Sequence, residues 1–394
     1  MIHVFTGPTL SPDEPALKDP DLRLRPPIRH GDLFDPQIMV GDTVVIIDGV
    51  YHHAPAVRHK EIIWTLGRGV RVIGAASIGA LRAAELADCG MIGIGSVWHD
   101  YTTGLLDGDD EVAVAQVAGG APRACTWPLV RVRQVLSHAL RKSVVDAAQA
   151  DRLLGALAEV YYAHRSLDAV MQVSRREKLP GFADWLTRQL AVDVHFGDVK
   201  RQDALDALDL ACKMAKTPAE PVAGLTWSTR CFRQWANSFA VLDTEHGRLR
   251  TLERVTFQQI FDPRFKQVWW EYLMSLGTTD LPWTVACAVI NPRMDLSDEQ
   301  TAARLLIRET PADRTDVARY SAVNEQVREA NRGFFPEAIK ESVVRDMLAA
   351  VWGTGPDGLE KEAWVRGLHG AREAVDAARP FVLGFLKDQE TARR

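Results

Sequence analysis

The chain has 394 residues, ordinary charged content and a formal net charge of −5. That is length enough for two or three domains with ample core, and bulk charge gives no sign of nucleic-acid or acidic-membrane binding. The five cysteines (Cys89, Cys125, Cys212, Cys231, Cys287) are odd in number and widely spread, with no C-x-x-C. This argues against a disulfide scaffold or zinc ribbon and fits a reducing compartment. No apolar run approaches the roughly 20 residues of a bilayer span, and MIHVFTGP lacks a signal-peptide pattern. A soluble, cytoplasmic protein is expected.

In chain order, Ile2 to Thr6 reads as a buried strand ending in Gly7-Pro8. Residues 11–29, rich in Pro, Asp and Arg, read as an irregular surface excursion. Thr43 to Ile47 is a second strand, whose unbroken apolar run suits cover on both faces. It ends in Asp48-Gly49. Pro55 suits the first position of a helix running to about Leu66. A third strand, Val70 to Ile73, meets the tight turn Gly74-Ala75-Ala76-Ser77, and an alanine-rich helix runs from Ser77 to Gly90.

Met91 to Trp98 is a further strand candidate. The acids Asp107 to Glu111 lead into a short helix over Val112–Val117. Amphipathic helices are predicted at 127–141, 146–163, 166–178, 181–193 and 198–215, with a linker at Pro218 and Pro221. Residues 222–277 read as mostly helical and aromatic (Trp227, Trp235, Trp269, Trp270), and 295–387 as helices with Pro/Gly breaks.

The fold class is therefore α/β: a small, mostly parallel sheet flanked by helices, followed by a large, mainly helical region. Three parts are expected: an α/β core at 1–125, its helical continuation at 126–217, and a mainly helical C-terminal domain at 222–394.

Ligands on parallel sheets gather beyond the carboxyl ends of the strands, an edge that collects Thr6, Asp48 and Ser77. Ala75-Ala76-Ser77-Ile78-Gly79 is one residue away from the nucleophile-elbow pattern G-x-S-x-G. A serine where strand turns into helix has free helix N–H groups beside it, at Ile78 and Gly79, suited to a developing negative charge. Lys60 is the first candidate base, since it shares a helix face with Ala56, Ile63 and Trp64. Burial among apolar groups disfavours the ammonium form, and a neutral lysine can deprotonate serine.

The alternative is that Lys60 snorkels to solvent and Ser77 caps its helix, although the N3 residue is Ala80 and completes no capping box. Arg82 and Glu85 are expected to pair at i,i+3, beside the site. His52, His53 and His59 match no zinc spacing and the acids at 107–111 fail the EF-hand order. Gly67, Gly69 and Gly74 make no dinucleotide fingerprint. No metal and no cofactor are expected.

With these residues in view, the first 120 or so positions resemble the TfuA-like protein family. The matching segments are Val4 to Leu10, Ile46 to Tyr51, Pro55 to Ile62, Gly74 to Leu86, Gly90 to Gly93 and Asp109 to Ala113; Asp198 to Ala204 also looks like the family. The resemblance implies a partner of YcaO enzymes, which activate a peptide backbone amide with ATP, in replacing that amide oxygen by sulfur. It also implies a Ser-Lys site that cleaves the C-terminal thiocarboxylate of a small ubiquitin-like sulfur carrier and releases sulfide. Carried across, the pair is Ser77 and Lys60. Where the family often has a second serine before the nucleophile, this chain has Ala76, so Ser77 is the only hydroxyl in the turn.

The expected function is thus a thioamidation accessory that hydrolyses a carrier thiocarboxylate, with a YcaO enzyme, the carrier and a precursor peptide as partners. The alternative is a non-catalytic adaptor recruiting peptide or YcaO partner, with Ser77 only a cap.

Overall fold

Val44 to Ile47 lack polar alternation because their strand is covered on both sides. The computed structural model, which describes residues 1–50, 55–116, 123–225, 228–245, 247–276, 294–330 and 336–393, divides into two units, Met1–Trp227 and Ser228–Arg394. In the first, β1 (Ile2–Phe5), β2 (Leu22–Arg25), β3 (Thr43–Ile46), β4 (Arg71–Gly74) and β5 (Ile92–Gly93) form one sheet. It is parallel throughout, in the order β2-β1-β3-β4-β5. The chain steps outward from β1 to β2 and then back across to β3. The carboxyl ends of β1 and β3 therefore flank the topological switch point, where such sheets open a crevice.

Successive side chains point to opposite faces, and the core divides accordingly. Phe5, Val44, Ile46 and Val72 pack with Ile62 and Leu66 of α1 (His59–Gly67) and with Ala83 of α2 (Ile78–Glu85). On the other face, Val4, Val45, Ile47 and Ile73 pack with Ala204, Ala207, Leu208 and Ala211 of α8 (Val199–Met214). Alanines at i, i+3 and i+7 form a smooth stripe that lets α8 approach the strands closely. α3 (Ser96–Thr102) follows β5. Then α4 (Leu129–Arg141), α5 (Ala147–Ala158), α6 (Leu167–Arg176) and α7 (Pro180–Val192) surround their own core of Leu136, Leu153, Val170, Phe182 and Leu186.

The second unit contains α9 (Arg230–Phe239), α10 (Thr251–Phe261) and α11 (Phe265–Ser275). After residue 294 come further helices, ending with Val382–Arg393. Its core gathers Phe257, Ile260, Leu348 and Phe381, and Trp269 is fully buried. No helix among the described residues is long and apolar enough to cross a membrane.

The α/β head followed by a large helical region agrees with the sequence reading, but several local expectations do not hold. Residues 11–29 contain β2, an edge strand whose sequence LRLR leaves its central residues exposed. Its pairing with β1, rather than any apolar run of its own, makes it a strand. α1 starts at His59 and not at Pro55, because Glu61 Oε1 takes the Arg58 N–H at 3.0 Å and the Pro55 carbonyl is engaged by the His30 N–H.

Only Ile92–Gly93 of the Met91–Trp98 stretch is strand. The buried Asp203 carboxylate accepts the Ser96 and Val97 N–H groups at 2.9 and 2.8 Å and starts α3 there. No helix follows Glu111 among the described residues: a 3-10 turn at Asp109–Glu111 gives way to irregular chain, with Ala115 N–H bonded to Thr126 Oγ1. Residues 222–277 include an antiparallel hairpin, β6 (Val241–Thr244) with β7 (Gly247–Arg250). His52, His53, Val117, Trp227 and Cys287 lie outside the described residues.

Two glycines set the height of α2 above the sheet. A Cβ on Gly79 would stand 1.7 Å from the Ile46 carbonyl oxygen, and one on Gly74 would stand 2.1 Å from the Gly79 carbonyl oxygen. Gly79→Ala must lift the start of α2, so a loss of about 3 kcal/mol is expected, read from urea unfolding.

Asp203 provides a second check. Burial pushes its carboxyl up to about 6, against the two N–H bonds that favour the charged form. Between the ordinary carboxyl value of 3.8 and about 6, the folded chain holds a proton that the unfolded chain has released. Stability then falls as pH rises through that window and levels off above it. The stability of wild type relative to Asp203→Asn is expected to decline from pH 4 to about pH 6.5, measured by thermal unfolding.

Candidate active site

The strand-to-helix elbow is sharper than a cap requires. Ser77 N–H donates to the Ala75 carbonyl at 2.7 Å, closing a three-residue turn centred on Ala76, whose φ is +66°. A non-glycine residue in that region is strained. The turn sits beneath the sheet edge and projects the Ser77 side chain from the end of β4. Ser77 is at the N-cap position of α2, yet its hydroxyl makes no capping hydrogen bond. The cap role considered from sequence is therefore absent.

The hydroxyl is instead bound by Lys200. Lys200 Nζ donates to Ser77 Oγ at 3.1 Å and to the Val112 carbonyl at 2.8 Å. Both side chains are buried, Lys200 with 4% of its surface exposed. The nearest carboxylate oxygen, Asp48 Oδ1, is 4.0 Å from the amine. Burial holds the Lys200 amine below the ordinary lysine value of 10.5, partly offset by the charges of Asp48 and Asp198. Its place in the first turn of α8, at the positive end of the helix dipole, acts in the same direction as burial. A depressed amine beside a serine hydroxyl is the arrangement in which lysine serves as a base.

Asp48 lies at the switch point, one residue past the Ile47 that continues β3. Its carboxylate accepts the Gly7 N–H at 2.9 Å, the Thr9 N–H at 3.0 Å and the Thr9 hydroxyl at 2.6 Å. It thus ties the loop after β1 to the end of β3. With three donors satisfying its charge, Asp48 faces Lys200 without forming a close ion pair. Thr6, also on this edge, has a buried hydroxyl with no hydrogen-bond partner among the described residues.

At the start of α2 the Gly79 N–H points to the Ile47 carbonyl at 3.4 Å, and the Ala80 and Leu81 N–H groups return to the Ser77 carbonyl. Of these first-turn donors, the Ile78 N–H alone has no acceptor among the described residues.

The structure brings Ser77, Ile78 and Gly79 near Asp48 through Lys200, with Thr6 at the same sheet edge, and the amine on the Ser77 hydroxyl is Lys200 and not Lys60. Lys60 lies on α1, against the sheet face opposite α8, and the ammonium at the hydroxyl belongs to Lys200. Ala56, expected to share its helix face, precedes the helix. Arg82 and Glu85 form the expected ion pair, which His59 joins through Nε2 at 2.8 Å. Sequence spacing could not have paired Lys200 with a serine 123 residues away. The signal that did exist was the stretch Asp198 to Ala204.

A lysine held in an apolar site by two neutral acceptors costs stability relative to a hydrophobic residue of similar length. Lys200→Met is therefore expected to melt at or above the wild-type temperature while leaving Ser77 without its amine. A large drop in Tm would instead mark the lysine as a structural strut.

No curated protein matches the chain. Residues 48–166 match the model of the TfuA-like protein family, a range that includes Asp48, Ser77 and Val112 but stops short of Lys200. The N-terminal unit of this chain thus carries a TfuA-like region, as the motifs between Asp48 and Ala113 indicated.

Proposed function

We propose that the protein is an accessory to peptide backbone thioamidation whose N-terminal unit hydrolyses the C-terminal thiocarboxylate of a small sulfur-carrier protein through Ser77 and Lys200. The TfuA-like region supports a thioamidation accessory role in general. The observation that carries the finer reading is the hydrogen bond from a buried, charge-depressed lysine to a serine on a strained elbow. Strain at such a position is characteristic of functional sites, and here it accompanies a hydroxyl aimed at Lys200.

In this reading the neutral Lys200 amine takes the Ser77 proton as Oγ attacks the thiocarboxylate carbon. The Ile78 N–H, without an acceptor among the described residues, receives the oxyanion. The tetrahedral adduct collapses, the C–S bond breaks as Lys200 returns its proton to the sulfur, and hydrosulfide leaves with the amine neutral again. Lys200 then deprotonates a water molecule that cleaves the acyl-serine, so one water is consumed and the carrier ends in a carboxylate. Asp48 positions the loop after β1 and tempers the charge on Lys200. The released sulfide would pass to a YcaO enzyme acting on a precursor peptide. The alternative is a non-catalytic adaptor; the cap role it gives Ser77 lacks a side-chain hydrogen bond.

Sulfide release from a thiocarboxylated carrier tests the proposal directly. Ser77→Ala and Lys200→Met are expected to lose on the order of 100-fold or more in rate, whereas Lys60→Ala stays near wild type. Because the base must be neutral, activity should rise with pH through a limb lying below the ordinary lysine range. Asp48→Asn, which removes a charge that favours the ammonium, should shift that limb to lower pH. Wild-type rates in both Ser77→Ala and Lys200→Met would overturn the reading.

A further inference from the structure

A lysine amine on a four-carbon stem is poorly fixed unless something else orients it. Here the orienting group is the Val112 carbonyl, the shorter of the two hydrogen bonds at Nζ. A neutral amine has two N–H donors and one lone pair. With one N–H committed to Val112, rotation about the last stem bond is restricted, and the lone pair can be held toward the Ser77 hydroxyl. The placement of the base therefore depends on the placement of a single backbone carbonyl.

That carbonyl lies on a segment with little regular structure, at the residue that closes a 3-10 turn over Asp109–Glu111 and leads into irregular chain. The Val112 side chain is buried with Ala80, Val97, Tyr101 and Leu106, which fixes its depth but not its rotation. The adjacent residue supplies the directional tie. The Glu111 carboxylate is buried, and Arg133 of α4 grips it in a two-point fork, Nε to Oε2 at 3.1 Å and Nη2 to Oε1 at 2.5 Å. Such a fork fixes orientation as well as distance.

We propose, resting on the Ser77–Lys200 reading, that the Glu111–Arg133 pair positions the base. It fixes the Val112 carbonyl and, through it, the amine, and neither residue touches substrate. The coupling is geometric: the charges that face Lys200 are Asp48, at the end of β3, and Asp198, on its own helix. Those around the fork are Asp100 and Asp107, which face Arg133, and Arg165, which faces Glu111.

The test uses the full chain, with Arg133→Gln and the conservative Arg133→Lys. Sulfide release is followed against pH, together with the rate at which a fluorophosphonate captures Ser77. Arg133→Gln is expected to lower kcat on the order of 10- to 100-fold with KM within about twofold. Its acid limb should move to lower pH, because an amine that loses a carbonyl acceptor loses a stabiliser of its charged form. Arg133→Lys, which keeps the charge but cannot form the fork, should recover only part of either. The capture rate should follow kcat, so the effect is read on the nucleophile without the carrier.

A folded Arg133→Gln protein with wild-type kcat, capture rate and limb, or one that only melts earlier, overturns the inference and leaves the Ser77–Lys200 reading standing. Wild type that neither releases sulfide nor reacts with the fluorophosphonate overturns both.

Discussion

Everything at the carboxyl edge of the sheet depends on how one buried amine is accommodated. Lys200 is enclosed between the end of β3, the elbow before α2 and the irregular chain after Glu111, and its hydrogen bonds go to a hydroxyl and a backbone carbonyl. A carboxylate at contact distance would have stabilised the ammonium and fixed the charge. Asp48 instead stands 4.0 Å away with its oxygens engaged by Gly7 and Thr9. The site accepts the cost of an under-compensated lysine and gains an amine that releases its proton more readily than one in water. Such costs concentrate at functional sites.

The sheet supplies the rigidity that this arrangement needs. α2 can start directly above β3 and β4 only because Gly74 and Gly79 let backbone meet backbone, and α8 lies close to the opposite face through its alanine stripe. The two helices thus bring residues 77 and 200 together from opposite faces at one edge. Strain at Ala76 is tolerated because both flanks of the turn are fixed, by the last pairing of β4 on one side and by the first turn of α2 on the other. A more relaxed turn would direct the hydroxyl to its own helix as a cap, away from the amine.

Most of this framework was legible in the sequence for a local reason. The strands Ile2–Phe5, Thr43–Ile46 and Arg71–Gly74 are short apolar runs, and the elbow is marked by small residues flanking a serine. The edge position of Asp48 followed from parallel topology alone. What failed were features set by partners remote in sequence. β2 has an exposed LRLR pattern that only pairing with β1 turns into a strand, and α3 begins where a carboxylate 107 residues later caps it.

The choice of the lysine that meets Ser77 failed for the same reason. Lys60 and Lys200 each lie on a helix with an apolar face, and periodicity assigns both to the sheet side without saying which face of the sheet. Handedness separates them: α1 and α2 are consecutive crossovers in one direction and cover one face, so a helix from much later in the chain must cover the other. A hydroxyl that leaves the elbow away from its own helix is turned toward that second face. Read this way, the alanine stripe of α8 was the clue to its close approach, and the lysine one turn before Ala204 was the residue to examine.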